Sequence, residues 1–335
     1  MPAFSRSFAT DILGQWDVGK SGNAVRALFD RWALPGQTSE TPLRLGLRDG
    51  YLNFYIKGQS IAKLSCTRDG PKLSVHRAYA FGRKREGSED RSVPIEGYQS
   101  YDSTALAAPQ TAALIPGWIE TAETYASAEK RFVDDLIAAN PGVIDLEMGL
   151  PASDLAGSDR VAPRMDLVLV QVGADGSPAI VFWEAKCANN PEVRASGETA
   201  AKVVEQLAKY ERWMDEDRIA QVQRAYCAAA MTMLDLYKLY RSVESEAPRC
   251  LEIWRTLANA PAPVIITQPG LVIGNYWPAG HTEAVASGRM RQSAASFARN
   301  GHGAKLESEG ITVYQVGPDH AVPALPLLKG AAIAV

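Results

Sequence analysis

No stretch of this chain is apolar for long enough to span a bilayer. The longest, AYCAAAMTML at Ala225–Leu234, is half the roughly 20 residues a membrane helix needs, so no membrane partner is expected. The N-terminal run MPAFSRSFATDILGQWD lacks the continuous apolar segment of a secretory signal. The four cysteines, Cys66, Cys187, Cys227 and Cys250, form no CxxC pair. That argues against a zinc knuckle or a disulfide framework and fits the reducing cytoplasm. The four histidines are scattered as well, and no HExxH, GxSxG, GxGxxG or P-loop string occurs. Several large enzyme classes therefore lose their usual signature. Disorder and fibrous architectures are excluded by composition: 46% hydrophobic and 22% charged residues, with a net charge of −3 over 335 residues. The length suits two domains, or one with large additions.

The charge that is present is unevenly spread. From Tyr51 to Arg85 stand eight basic residues, among them Lys57, Lys63, Arg77, Arg83, Lys84 and Arg85, against the single acid Asp69. The segment carries +7 and the rest of the chain −10. Aromatic residues interleave the basic ones: Tyr51, Phe54, Tyr55, Tyr79 and Phe81. Cations for phosphates and rings for bases make this a candidate nucleic-acid surface. The plainer reading is a solvated sheet face with a charged loop.

Periodicity sketches the organisation. Gly22–Leu34 has helical spacing of Val25, Leu28, Phe29 and Trp32. From Pro42 the pattern turns to strands, with Asp49-Gly50 and Lys57-Gly58 as turns, and the β pattern continues through KLSVHRAYAF. Ser100–Gly117, with two prolines and small residues, reads as a linker, which places a domain boundary near residue 110. A helix is expected over Trp118–Asn140, then strands at Val143–Leu150, Pro163–Val172 and Ala179–Lys186. Helices follow from about Glu198 to Tyr240, with short strands at Ala262–Thr267 and LVIGNYW. Beyond these come a helix over His281–Asn300, a turn at Gly301–Gly303 and a strand GITVYQV. Three meandering strands followed by helices imply a mixed α/β sheet.

The chemistry gathers in the middle of this order. Asp166 opens the apolar strand LVLV, and WEAK at Trp183–Lys186 puts Glu184 and Lys186 on one face of the next strand. That strand is otherwise apolar, so both groups are costly there unless they pair or bind something. An interior Glu–Lys ion pair is the plain alternative. On the preceding helix, Glu129 falls within the stripe of Phe132, Val133, Leu136 and Ile137, whereas Glu120 and Glu123 point elsewhere. Glu147 is a rival acid, but alternation in VIDLEM puts Asp145 and Glu147 on a polar, solvent-facing side. Cys187 has no visible base partner, and Trp183 and Trp213 read as core residues.

A helical Glu, a strand Asp and an ExK on the hairpin partner resemble the PD-(D/E)xK nuclease superfamily. The 18 residues from Asp166 to Glu184, with the GADGS turn between them, suit that hairpin, and Gln206-Leu-Ala-Lys-Tyr210 is similar to the QxxxY motif of its RecB-like branch. The likeness covers Trp118–Met214; Met165 stands where the family has Pro before the Asp. It implies an α/β fold with a restriction-endonuclease-like mixed sheet core flanked by helices. Residues 111–280 would form that core, 1–110 a β-rich basic accessory domain, and 281–335 an extension packed on the core. It also implies a metal-dependent nuclease, DNA being the first substrate to expect. Asp166, Glu184 and Glu129 would hold Mg²⁺ or Mn²⁺, Lys186 would be catalytic, and Gln206 and Tyr210 would position ligands or substrate. Arg77, Arg83, Lys84, Arg85 and Arg164 would contact nucleic acid. A non-catalytic nucleic-acid-binding module on the same fold is the alternative.

Overall fold

The computed structural model describes residues 4–38, 42–81, 97–149, 164–195, 199–214, 216–241, 247–274, 293, 295–316 and 322–328. They build a mixed α/β protein with two sheets. The first is a five-stranded antiparallel meander of β1 (Arg44–Leu47), β2 (Tyr51–Ile56), β3 (Gln59–Thr67), β4 (Gly70–His76) and β5 (Tyr98–Tyr101), paired in chain order. Lys57 and Gly58 join β2 to β3 with positive φ at both (43° and 68°), the two-residue hairpin turn their sequence predicts. The second sheet contains β6 (Val143–Gly149), β7 (Arg164–Val172), β8 (Pro178–Cys187), β9 (Val264–Ile265), β10 (Gly270–Gly274) and β11 (Thr312–Val316). Its order is β11-β10-β8-β7-β6, with β9 also on β8. β6, β7 and β8 are antiparallel; β9, β10 and β11 join in parallel.

Short helices α1 (Thr10–Asp17), α2 (Ala24–Phe29), α3 (Arg77–Ala80), α4 (Ser103–Ala107) and α5 (Pro109–Ala112) frame the first sheet, and α6 (Ile115–Glu123) follows them. Next come α7 (Ala128–Ala139), α8 (Lys202–Trp213), α9 (Glu216–Tyr240), α10 (Arg249–Asn259) and α11 (His302–Ser308). One hydrophobic cluster runs from Phe29, Trp32 and Phe54 through Val168 and Phe182 of the second sheet to Tyr210 and Trp254. A smaller one, on the other face of that sheet, holds Phe132 and Leu136 of α7 against Trp183, Ala185 and Val272. No described helix is long and apolar enough to cross a membrane.

Several expectations from the sequence need correction. The helix over Trp118–Asn140 is two helices, because Ser127 caps α7 by accepting a hydrogen bond from the Lys130 N–H. The helix from Gly22 stops at Phe29, and Trp32 leaves it to bridge Leu43. The β run in KLSVHRAYAF ends at His76, whose imidazole accepts from the Ala78 N–H and starts α3. Ser100–Gly117 is no bare linker: it carries the end of β5, then α4 and α5, with Leu106 and Ile115 fully buried. His302 starts α11 rather than lying within a turn. Most of the helix expected over His281–Asn300 lies outside the described residues.

Candidate functional site

The site is built at the C-terminal end of β8. Its alternation sends Ile180, Phe182, Glu184 and Lys186 to one face and Val181, Trp183 and Ala185 to the other. Asp166 lies on the neighbouring strand and its Oδ2 accepts a hydrogen bond from the Ala185 N–H at 2.9 Å. Helix α8 covers the same face and brings Gln206, whose amide donates to Glu184 Oε1 at 2.7 Å. Lys186 Nζ stands 2.8 Å from that same oxygen.

Glu129 arrives from the opposite face. Phe132, Val133, Leu136 and Ile137 bury α7 against the sheet, as their spacing predicts. That leaves Glu129 in the first turn, reaching around the end of β8. Its Oε2 accepts from the Cys187 N–H (3.2 Å) and the Asn190 side chain (2.9 Å), and its Oε1 is 3.8 Å from Lys186 Nζ. Glu192 Oε2 adds a third carboxylate 3.4 Å from the same ammonium. Asp166, Glu184, Glu129, Lys186 and Gln206 therefore meet in one place. Tyr210, one helical turn beyond Gln206, is buried and donates to the Met148 carbonyl at 3.2 Å, tying α8 to β6.

Charge is the dominant feature. Burial, then the Glu184 and Glu147 carboxylates, push Asp166 well above the usual aspartate range. Burial also raises Glu184, and Lys186 and Gln206 offset only part of that. Burial alone would lower the pKa of Lys186, but Glu184, with Asp166 and Glu129, outweighs it and holds the ammonium above its ordinary value. Lys186 is thus a firm cation at neutral pH. Cys187, buried beside it, has its thiol pushed up to about 12 by burial and by Glu129, so it is no thiolate nucleophile.

Glu184 Oε2 is buried and has no hydrogen-bond partner among the described residues. A lone carboxylate oxygen at that depth is expensive unless a cation or a donor meets it. The donor set, all carboxylate oxygen, suits a hard divalent ion. Among the described residues no three Asp, Glu, His or Cys side chains form a ready-made metal cage; Lys186 itself bridges Glu184 and Glu129.

Two acids on β6 are not where alternation put them. Asp145 is 1% exposed; it accepts from Arg6 Nε (2.9 Å), Arg48 Nη1 (2.5 Å) and Tyr226 OH (3.1 Å). Burial would raise its pKa, but Arg48 and Arg6 prevail and hold it below the usual range. Glu147 is half-buried, has a φ of 50°, and its charge acts on Asp166. A register irregularity in the β6–β7 pairing between Val143 and Asp145 shifts the alternation.

The expected nucleic-acid contacts are more scattered. Arg164 is exposed, 3.7 Å from Glu147 Oε2. Arg77 is half-buried with its guanidinium over the Phe81 ring. Arg83, Lys84 and Arg85 lie outside the described residues. Lys57 is engaged in an ion pair with Glu123 at 2.8 Å. Trp183 and Trp213 are buried, as expected. Comparison with models of known families, with curated proteins and with solved structures finds no match to this chain.

Proposed function

We propose that this protein is a divalent-cation-dependent phosphodiester hydrolase acting on nucleic acid, with DNA the first substrate to test, on a restriction-endonuclease-like core. Support for the core is the succession α7-β6-β7-β8-α8 followed by β10, with three antiparallel strands and a parallel fourth beside β8. The observation that carries the activity is Glu184, buried next to Asp166 with one carboxylate oxygen doubly served and the other unpartnered.

Asp166 and Glu184 would hold the ion, with Glu129 beside them and Glu147 a further acid near Asp166. A bound Mg²⁺ or Mn²⁺ would supply polarisation of the phosphate and a more acidic water. Lys186, kept protonated by its carboxylates, stabilises negative charge developing on the phosphate and does not accept a proton. Gln206 fixes the orientation of Glu184, and Tyr210 positions α8 against β6. Four cysteines, none in a disulfide, suit a reducing cytoplasm.

The reading is tested by incubating supercoiled and linear DNA and RNA with wild type and Lys186→Ala, in Mg²⁺, Mn²⁺ or EDTA. Cation-dependent cleavage that the variant loses is the expected result. Folded protein that cleaves none of these substrates with either ion would sink it. The alternative, a binding module without turnover, has one point in its favour: Lys186 is already ion-paired to Glu184, Glu192 and Glu129.

A further inference from the structure

A polar cleft of about 580 Å³ opens between the first sheet and the β6–β7 end of the second. That volume is in the range of about 300–1,000 Å³ typical of small-ligand sites. Lys63, His76, Tyr79 and Tyr98 line it from the first sheet; Lys130, Glu147 and Arg164 line it from the other side. Tyr98 is the unusual member. The residue is 47% exposed, yet its ring is held: Lys63 Nζ lies 4.5 Å from the ring centroid and donates to the Tyr98 hydroxyl at 3.0 Å, and His76 meets the ring edge-on at 5.6 Å. An exposed ring fixed by its neighbours is a stacking platform that needs little ordering on binding. Lys63 has no carboxylate partner among the described residues, so its charge is available to an anion.

We infer that this cleft takes an unpaired nucleotide of a single-stranded nucleic acid, its base stacked on Tyr98 and its phosphates met by Lys63 and Arg164. Bases in a duplex hide their faces in the stack and cannot use the ring without being flipped out. The wall of the cleft also carries Glu147, whose charge acts on Asp166, so a strand seated there runs beside the carboxylates. In that last respect the inference rests on the hydrolase reading and narrows its substrate to single strands.

The test is fluorescence anisotropy with the full chain in EDTA, where binding is read without cleavage. The probes are labelled mixed-sequence single-stranded DNA, single-stranded RNA and duplex DNA. Single strands should bind at least about tenfold more tightly than duplex, and Tyr98→Ala should lose about tenfold on single strands only. Tyr98→Phe, which keeps the ring but loses the hydroxyl that accepts from Lys63, should lose much less than Tyr98→Ala. Lys63→Ala should flatten the dependence of log affinity on log salt by about 0.7, one phosphate's share for a single strand. The DNA and RNA arms identify the sugar. Equal affinity for duplex, or a Tyr98→Ala variant that binds single strands as wild type does, would overturn the inference. Protein that binds single strands through Tyr98 but cleaves nothing with any cation fails the hydrolase reading alone.

Discussion

Lys186 and Glu184, two residues apart on one strand, form a contact that serves only half of the carboxylate. The ammonium and the Gln206 amide both meet Oε1, at 2.8 and 2.7 Å, while Oε2 is buried without a partner among the described residues. The pair is a strong interaction and an incomplete one. A buried carboxylate oxygen left without a partner costs stability.

Removing Lys186 leaves a buried carboxylate with its main counter-charge gone. Lys186→Ala should destabilise the metal-free protein by about 3 kcal/mol at neutral pH. The double variant Glu184→Gln/Lys186→Met should recover most of that loss, because a neutral pair needs no counter-ion. Urea denaturation in EDTA measures both. Cleavage by Lys186→Ala should fall by about 10²–10³-fold. A single variant as stable as wild type would show that Glu184 is protonated or otherwise compensated in the fold.

Asp166 gives the opposite sign. Its folded pKa is raised by burial, Glu184 and Glu147. Between the ordinary aspartate value and that raised value, the fold keeps a proton that the unfolded chain has lost. Stability of the metal-free protein therefore falls as pH climbs through that interval. Asp166→Asn removes the slope and keeps an acceptor for the Ala185 N–H. It should stabilise the protein at neutral pH by about 1 kcal/mol, roughly 2 °C in Tm at this length, while abolishing cleavage. Mg²⁺ should raise the Tm of wild type but not of the variant. A variant that melts below wild type in EDTA contradicts the strain assigned to Asp166.

Local chemistry made the centre of this site legible. Period-2 alternation placed Glu184 and Lys186 together, and helical spacing put Glu129 beside the buried stripe of α7. What sequence could not show depends on contacts between distant segments. Asp145 looked like a solvent-facing acid because its partners, Arg6 and Arg48, stand 139 and 97 residues away. Glu147 looked exposed because nothing local in the sequence marks its left-handed backbone, φ 50°, which departs from strand alternation. The break between α6 and α7 was masked because the apolar pattern keeps its phase across Ser127. Tyr210 sits one turn from Gln206, but only the packing of α8 on β6 shows that its hydroxyl goes to Met148.

Gly274 couples packing to the position of Glu129. A Cβ on Gly274 would lie 2.6 Å from the Phe132 ring, which is fully buried on α7. Gly274→Ala should cost about 1–3 kcal/mol through overpacking and push the start of α7 away from β8, reducing cleavage. Adding Phe132→Leu makes room and should restore part of both losses. Denaturant midpoints and initial cleavage rates for the single and double variants give the answer; a single variant with wild-type stability and rate would show that α7 absorbs the clash without moving Glu129.

Glu147 separates backbone strain from electrostatics. Its φ of 50° lies in the left-handed region, which costs a side-chain-bearing residue roughly 1–2 kcal/mol. Its charge also raises Asp166. Glu147→Gly relieves the strain and removes the charge; Glu147→Gln removes the charge alone. In EDTA the glycine variant should therefore gain about 1 kcal/mol at every pH. The glutamine variant should gain only above the ordinary aspartate range, where the fold holds the Asp166 proton at a cost to stability that loss of the Glu147 charge reduces. Stability curves for the two variants from acid to neutral pH make the comparison. If both gain equally at all pH values, the charge of Glu147 is not the source of the gain. If neither gains, the left-handed backbone at Glu147 carries no net cost in this fold.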